Sequence, residues 1–312
     1  MALKMRQFKW KKDFELVRAF LILTYNLTRS FQNWIPSMFE NIKFGPCGTE
    51  YRDEEDEYIK IWEKPDGSEI SSVSKIVAVT FCKPSGDCWI QIHPDYRFVE
   101  KEIVLWIEKQ RRKFITNETS ELELRFYVDE TDVKRKALLT ELGYENAGLN
   151  EYNRKRPLEK PIPEYQLPDG FSIRSADLEK DFVQHKRVQT AVFPHCSRMT
   201  KRTAKIYSTA SFYNKDLDLV VVDRYGNFAA FCTVRIDPVS RMAELEPVGT
   251  HPDYRELGLA RSVVCEGLRR LHKYRPSSIC ILGAATSEAA NRLYESVGFS
   301  EKTEVHLWRK KL

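Results

Sequence analysis

One near-repeat constrains this chain more than any other feature. Ile-His-Pro-Asp-Tyr-Arg at 92–97 returns as Thr-His-Pro-Asp-Tyr-Arg at 250–255, and each copy stands where an alternating apolar run gives way to helical spacing. A second pair follows in the same order, Glu-Leu-Gly-Tyr at 141–144 and Ser-Val-Gly-Phe at 296–299. Two matches in the same surroundings predict two copies of one mixed α/β unit, and 312 residues is enough chain for both. Pro157, Pro161, Pro163 and Pro168 crowd the span between the copies, where neither a helix nor a central strand can continue. The expected division is therefore a domain at 1–156, a linker at 157–170 and a second domain at 171–312.

Each half reads as strand, two helices, strands, helix, strand, helix, strand. In the first half the spacing predicts strands at Lys4–Lys9, Tyr58–Glu63, Lys75–Cys82, Trp89–His93, Glu121–Asp129 and Leu149–Arg154. Helices are predicted at Glu100–Lys113 and Thr131–Leu142. In the second, a helix opening at Asp177 and another at Thr200–Tyr213 precede strands at Met242–Thr250 and Ile279–Gly283. A helix at Ser287–Val297 and a strand at Glu304–Arg309 close the chain.

Composition narrows the function classes. Hydrophobic residues make up 42% and charged residues 30%, the balance of a globular protein and too apolar for disorder. The net charge of +5 makes no case for nucleic acid. Basic stretches at Lys109–Phe114 and Arg154–Arg156 read as solvated surface. No apolar run reaches the length of a membrane span, and the N-terminus is too charged for a signal peptide. The seven cysteines form no CxxC pair, so reduced thiols in a cytoplasmic protein and no metal site are expected. Cys82 and Cys88 straddle Lys-Pro-Ser-Gly-Asp without a further Cys or His to complete a tetrahedral site. Nothing separates a monomer from a homodimer.

The segment Ala243–Leu271 carries the sharpest functional signal. A strand runs into Arg255-Glu256-Leu257-Gly258-Leu259-Ala260 and then an amphipathic helix. Small residues at 258 and 260 let a diphosphate approach the backbone, and the first-turn amides of the helix, Leu259 to Arg261, have no partners within it. Arg255 and Arg261 can add charge at the rim. This is neither a dinucleotide fingerprint nor a P-loop.

The second half resembles the GNAT superfamily of acyl-CoA-dependent N-acyltransferases. Arg255-x-x-Gly258-x-Ala260 fits the family's Arg/Gln-x-x-Gly-x-Gly/Ala motif, and Asn291-x-x-Tyr294 ending in Gly298-Phe299 resembles its second hallmark. The resemblance implies a duplicated fold, each copy a mostly antiparallel mixed sheet with a splayed central parallel pair and flanking helices. It also implies acetyl-CoA bound between Met242–Thr250 and Ile279–Gly283, with backbone contacts around Val248, Gly249 and Thr250. Tyr294 would then reach the CoA sulfur as the acid, and Asn291, one turn earlier on the same face, could bond the cofactor arm.

The first half departs from this pattern. Aligned on the repeat, Glu100 and Glu102 fall at the glycine-like positions and Leu139 near that of Tyr294, so charge and bulk oppose a diphosphate there. One cofactor site is expected, in the second half.

Acyl transfer to an amine needs a base, and strand alternation puts Glu244 and Glu246 on one face. Glu246, nearer the splay, is the expected base, and Glu244 is a candidate for substrate contact. Arg235 and Arg241 are the cations to which either could pair. His195 lies in the loop region where the family closes its acceptor site. His93 and His251, equivalent in the repeat, read as turn residues. The function expected is an N-acetyltransferase moving acetyl from acetyl-CoA to the primary amine of a small molecule by direct attack. A protein or peptide N-acetyltransferase, an O-acetyltransferase, a longer acyl donor and a non-catalytic acyl-CoA-binding module stay open.

Overall fold

Strands and helices form where the two hydrophobic periods place them, and their pairing sorts the chain into two units that are not its two halves. The computed structural model describes residues 3–31, 33–45, 55–65, 72–113 and 122–312. One unit comprises Met1–Pro36, Tyr51–Glu151 and Thr303–Leu312, and the other Ser37–Glu50 and Tyr152–Lys302.

The first unit contains β1 (Lys4–Lys9), α1 (Trp10–Thr28), β2 (Glu55–Glu63), α3 (Ser72–Lys75), β3 (Ile76–Cys82), β4 (Asp87–Ile92), α4 (Glu100–Arg112), β5 (Glu123–Asp129) and α5 (Val133–Glu141). The helix α2 (Pro36–Phe44) begins at its edge and runs into the second unit. After β6 (Glu145–Arg156), that second unit contains β7 (Ser172–Ser175), α6 (Phe182–Val192), α7 (Lys201–Tyr207), β8 (Asp218–Val222), β9 (Phe228–Ile236), β10 (Met242–Thr250), α8 (Leu259–Leu271), β11 (Ser278–Ala284) and α9 (Glu288–Ser296). The last strand is β12 (Glu301–Lys311).

Strand order in the first unit is β1-β2-β3-β4-β5-β12, with β4 and β5 the parallel pair. In the second it is β7-β8-β9-β10-β11-β6, with β10 and β11 parallel. The final strand of each sequence half therefore closes the sheet of the other unit. Val305–Lys311 of β12 pair with β5, while Tyr152, Arg154, Lys155 and Arg156 of β6 pair with β11. The sequence reading assigned each of these strands to its own half, because hydrophobic alternation marks a strand and not its partner.

Each unit buries one sheet face under an amphipathic helix. In the first, Ile103, Val104 and Ile107 of α4 pack against Ile90, Ile92, Leu124, Phe126 and Val128. In the second, Val263, Val264, Leu268 and Leu271 of α8 pack against Leu219, Val221, Cys232, Val234 and Leu245. Each such side chain contributes about 1.5–3 kcal/mol on burial. Gly267 lets α8 lie close to β9, since a Cβ there would meet Val234 at 3.1 Å.

Three local expectations are corrected. The helix expected from Asp177 starts at Phe182, because the Asp177 carboxylate accepts from the amides of Glu179 and Lys180 and closes a turn instead. The next helix ends at Tyr207 rather than Tyr213. Arg154 and Arg156 are not solvated: they are 1% and 2% exposed. Their guanidinium groups donate to the carbonyls of Phe299, Val297, Lys160 and Pro161. The proline-rich span packs as well, with Ile162, Tyr165 and Leu167 against the second core. No helix among the described residues is long and apolar enough to cross a membrane.

Candidate active site

The site grows from a strand that cannot keep its register. Pairing between β10 and β9 runs Leu245 to Val234 and then Val248 to Cys232, so one extra residue bulges out around Pro247. Proline has no N–H for the ladder, which makes the bulge its natural place. On the other side, β10 and β11 pair only from Met242 to Glu244 with Ser278 to Cys280. Beyond Glu244 the two parallel strands separate, and this is the splay the sequence reading placed here.

Val248, Gly249 and Thr250 form the far end of β10. A Cβ on Gly249 would lie 2.6 Å from Phe231 Cζ and 2.8 Å from Val192 Cγ1, so only glycine passes here without moving an aromatic ring. His251 then caps a 3-10 turn, its Nδ1 accepting from the Asp253 amide at 3.3 Å, and Tyr254 Oη donates to Asp223 at 2.7 Å. His93 accepts from the Asp95 amide at the same distance, so both histidines of the repeat are turn residues. Arg255, Glu256 and Leu257 are exposed.

Gly258 caps α8 at φ +73, a left-handed conformation that glycine adopts without steric cost. A Cβ there would meet nothing within 4 Å. The turn is thus open toward solvent rather than packed, and the amides of Leu259, Ala260 and Arg261 start the helix beside it. Arg261 donates to the Glu164 carbonyl at 3.0 Å, which holds its guanidinium at the rim. An open, left-handed glycine next to unpaired helix amides fits a diphosphate.

The equivalent place in the first unit is filled. Glu100 begins α4 and is buried, taking ion pairs from Arg97 at 2.8 Å and from Arg135. Arg97 also pairs with Asp132 at 2.9 Å. Glu102 is exposed on the same helix, and Leu139 is a buried core residue.

On α9, Ser287 caps the helix by accepting from the Ala290 amide, and the chain turns at Gly298 so that the Phe299 amide donates to the Tyr294 carbonyl. Tyr294 is buried, with its ring edge-on to Phe299. Burial pushes the phenol pKa up; Cys232 and Glu246 push the same way and Arg154 opposes. A phenol held protonated is a proton donor at neutral pH. Asn291 accepts from Arg154 and donates to the carbonyls of Thr286 and Ser287, so its amide is engaged within the chain.

Glu244 and Glu246 differ in surroundings. Glu244 is buried, accepts from Ser37 Oγ at 2.7 Å and lies 3.8 Å from Arg235 Nη1. Arg235 is buried too, with Nε donating to Tyr207 Oη at 3.1 Å and Nη2 to Asn41 Oδ1 at 3.2 Å. Its guanidinium lies over the rings of Phe212 and Tyr207. Burial lowers the Arg235 pKa, but Tyr207, Glu244 and Glu246 outweigh it and keep the group charged. Burial likewise pushes the Tyr207 phenol up to about 12. Glu246 is half-buried and acts electrostatically on Arg235, Tyr207 and Tyr294 alike. His195 lies in the 3-10 turn Pro194–Arg198. No cluster of metal-ligating residues occurs among the described residues.

Sequence reading missed Ser37, Asn41 and Tyr207. The first two come from α2, far away in the chain, and no local pattern marks a helix as serving a distant strand.

Residues 186–299 match the acetyltransferase (GNAT) family. The chain is 27% identical over 150 residues to the mycothiol acetyltransferase of Thermomonospora curvata, covering 47% of this chain and 50% of that protein. It spans about half the length of the curated relatives it matches first. The fold is similar to a GCN5-related N-acetyltransferase from Sphaerobacter thermophilus, at TM-score 0.65 and 16% identity over 99% of this chain and 95% of that one. It is also similar to a tandem GNAT protein from the clavulanic acid biosynthesis pathway, at TM-score 0.67 and 13% identity over 99% and 98%. The splayed strand, the Arg255–Ala260 turn and the helix bearing Asn291 and Tyr294 all fall within 186–299, the stretch of this chain that matches the acetyltransferase (GNAT) family.

Proposed function

We propose that the chain is an acetyl-CoA-dependent N-acetyltransferase whose chemistry takes place in the second unit, on the primary amine of a small molecule. The observation that carries this reading is the splay of β10 from β11 just past Glu244, with Glu246 and Tyr294 within electrostatic range of each other beside it. Acetyl-CoA supplies an activated acetyl thioester. Leu259, Ala260 and Arg261 would hold its diphosphate through their amides, with Gly258 leaving room and Arg255 at the rim. Val248, Gly249 and Thr250 would meet its pantetheine arm edge-on, as a strand meets a peptide.

The residues of the chain divide the proton work. Glu246 takes the proton from the acceptor ammonium, directly or through one water, so that a neutral amine attacks. The backbone amide near Val248 receives the negative charge that grows on the acetyl oxygen. Tyr294 Oη gives its proton to the departing sulfur and regains one from the attacking nitrogen, which loses its second proton as the amide forms. No covalent enzyme intermediate is needed when amine and thioester are held together. Glu244 is committed to Ser37 and Arg235, so in this reading it contributes negative charge that favours a cationic acceptor rather than a proton shuttle. In this reading His195 contacts the acceptor, and Asn291, its amide engaged with Arg154 and the Thr286 and Ser287 carbonyls, positions α9 beside the cofactor arm.

The first unit, in this reading, is a second copy of the same fold that has lost cofactor binding, with the Glu100 ion pairs in place of an anion site. The relatives named for mycothiol acetylation support a small-molecule amine over a peptide.

The test is CoA release from acetyl-CoA with polyamines, aminoglycosides, amino sugars, amino acids and short peptides. Tyr294→Phe is expected to lower kcat by about 10²–10⁴ with little change in KM for acetyl-CoA. Glu246→Gln should flatten the acidic limb of the pH–rate profile. Acetyl-CoA binding with no release across the panel would favour a binding module, and no binding would overturn the proposal.

A further inference from the structure

The hairpin joining β3 to β4 sets two thiols face to face. Lys83 N–H donates to the Asp87 carbonyl at 2.8 Å and Gly86 N–H to the Lys83 carbonyl at 2.9 Å, which closes a three-residue loop with Gly86 at φ +94. A Cβ on Gly86 would collide with the Glu123 carbonyl, so this loop has little freedom to take another shape. The next pair along the ladder is Cys82 with Cys88. Lys83 and Asp87 form the hydrogen-bonded pair, so Cys82 and Cys88 form a non-hydrogen-bonded one. Such pairs bring their Cα atoms to about 4.5 Å, within the range of roughly 4.4–6.8 Å that a disulfide spans. Both side chains lie on the face that packs against the first unit's core. Both thiols are reduced, Cys88 buried and Cys82 half-buried.

A cation stands beside the pair. Arg111 Nη2 donates to the Pro84 carbonyl of the same loop at 2.6 Å, while its buried Nε has no hydrogen-bond partner. Burial pushes the Cys88 thiol well up, the neighbouring Cys82 and Asp87 add to this, and Arg111 opposes it. The Tyr144 phenol is also within electrostatic range of both sulfurs.

We propose that Cys82 and Cys88 are a redox-active dithiol, closed to a disulfide by hydroperoxides. Cys82, the more accessible, meets the oxidant: its sulfur attacks one peroxide oxygen, the O–O bond breaks, and a sulfenic acid and one water result. The Cys88 sulfur then displaces that hydroxyl, which leaves as a second water with the Cys88 proton. Two thiols are oxidised and one hydrogen peroxide is reduced to two waters. Arg111 is the cation that favours the Cys88 thiolate in the second step. The inference does not depend on acetyl transfer.

The test exposes the reduced full-length protein to hydrogen peroxide, alkylates the remaining thiols and digests before aspartate. Cleavage ahead of Asp87 parts Cys82 from Cys88, so a disulfide alone keeps the two peptides together. The expected result is a loss of about 2 Da on a joined pair, absent in Cys82→Ser. In Cys88→Ser a sulfenic acid should persist at Cys82 and be trapped by dimedone. Circular dichroism and thermal unfolding show whether each variant is folded, and the native protein with Cys82→Ser decides the matter if Cys88→Ser is not. Three outcomes overturn the proposal: both cysteines still alkylated, Cys82 driven to sulfinic acid while Cys88 stays free, or the same mass loss in Cys82→Ser.

Discussion

The Ser37 hydroxyl donates to the Glu244 carboxylate at 2.7 Å, joining two residues 207 positions apart in the chain. It ties α2 to β10 at the last rung before β10 and β11 separate. Asn41 reaches Arg235 from the next turn of the same helix, and Glu40 accepts from the Ser211 amide and hydroxyl. A helix from the first half of the sequence thus completes the polar network beneath the candidate active site.

Ser37→Ala leaves one acceptor site of a buried carboxylate unsatisfied. Chemical unfolding should show a loss of about 1–3 kcal/mol. Glu244→Gln keeps an acceptor for Ser37 but removes a charge facing the buried Arg235, so it should cost at least as much. A Ser37→Ala protein as stable as the native one would contradict the assignment of Ser37 as donor.

Gly258 and Gly249 should fail in opposite ways. Gly258→Ala adds a methyl to open space at a left-handed φ, so stability should fall by only about 1 kcal/mol. Affinity for acetyl-CoA, measured by calorimetry, should drop at least tenfold.

Gly249→Ala drives a methyl into Phe231 and Val192. Overpacking of this kind costs about 1–3 kcal/mol, and thermal unfolding should register it before any ligand is added.

Glu266 gives a pH dependence. Hydrogen bonds from Arg269, and then from Arg270 and Tyr165, outweigh the opposing effect of burial and hold its pKa down to about 2. A carboxylate depressed on folding adds stability that is complete above its unfolded pKa and is lost as pH falls through the folded value. The loss should therefore spread from about pH 4.5 down to about 2. Glu266→Gln should lower stability by roughly 1–3 kcal/mol at pH 7. The gap between variant and native protein should close over that same acidic window. A gap that stays constant with pH would refute the ionic role.

The amino-acid sequence by itself determined the elements, the repeat and the glycine turn, because these depend on spacing within a few residues. His93 and His251 show it plainly: the same five residues make the same cap at 3.3 Å in both places. What only the tertiary structure decided are the partners. The alternation of β6 and β12 marked two strands but not that each closes the sheet of the other half. Arg154-Lys155-Arg156 reads as a charged surface, yet two of its guanidinium groups are buried against carbonyls of the 297–299 turn and the 160–161 backbone. Glu244 and Glu246 look equivalent in the strand, until the fold buries Glu244 and brings the Ser37 hydroxyl to it. A charged side chain is buried only where distant groups neutralise it, and those groups are brought together by the fold rather than by neighbouring sequence.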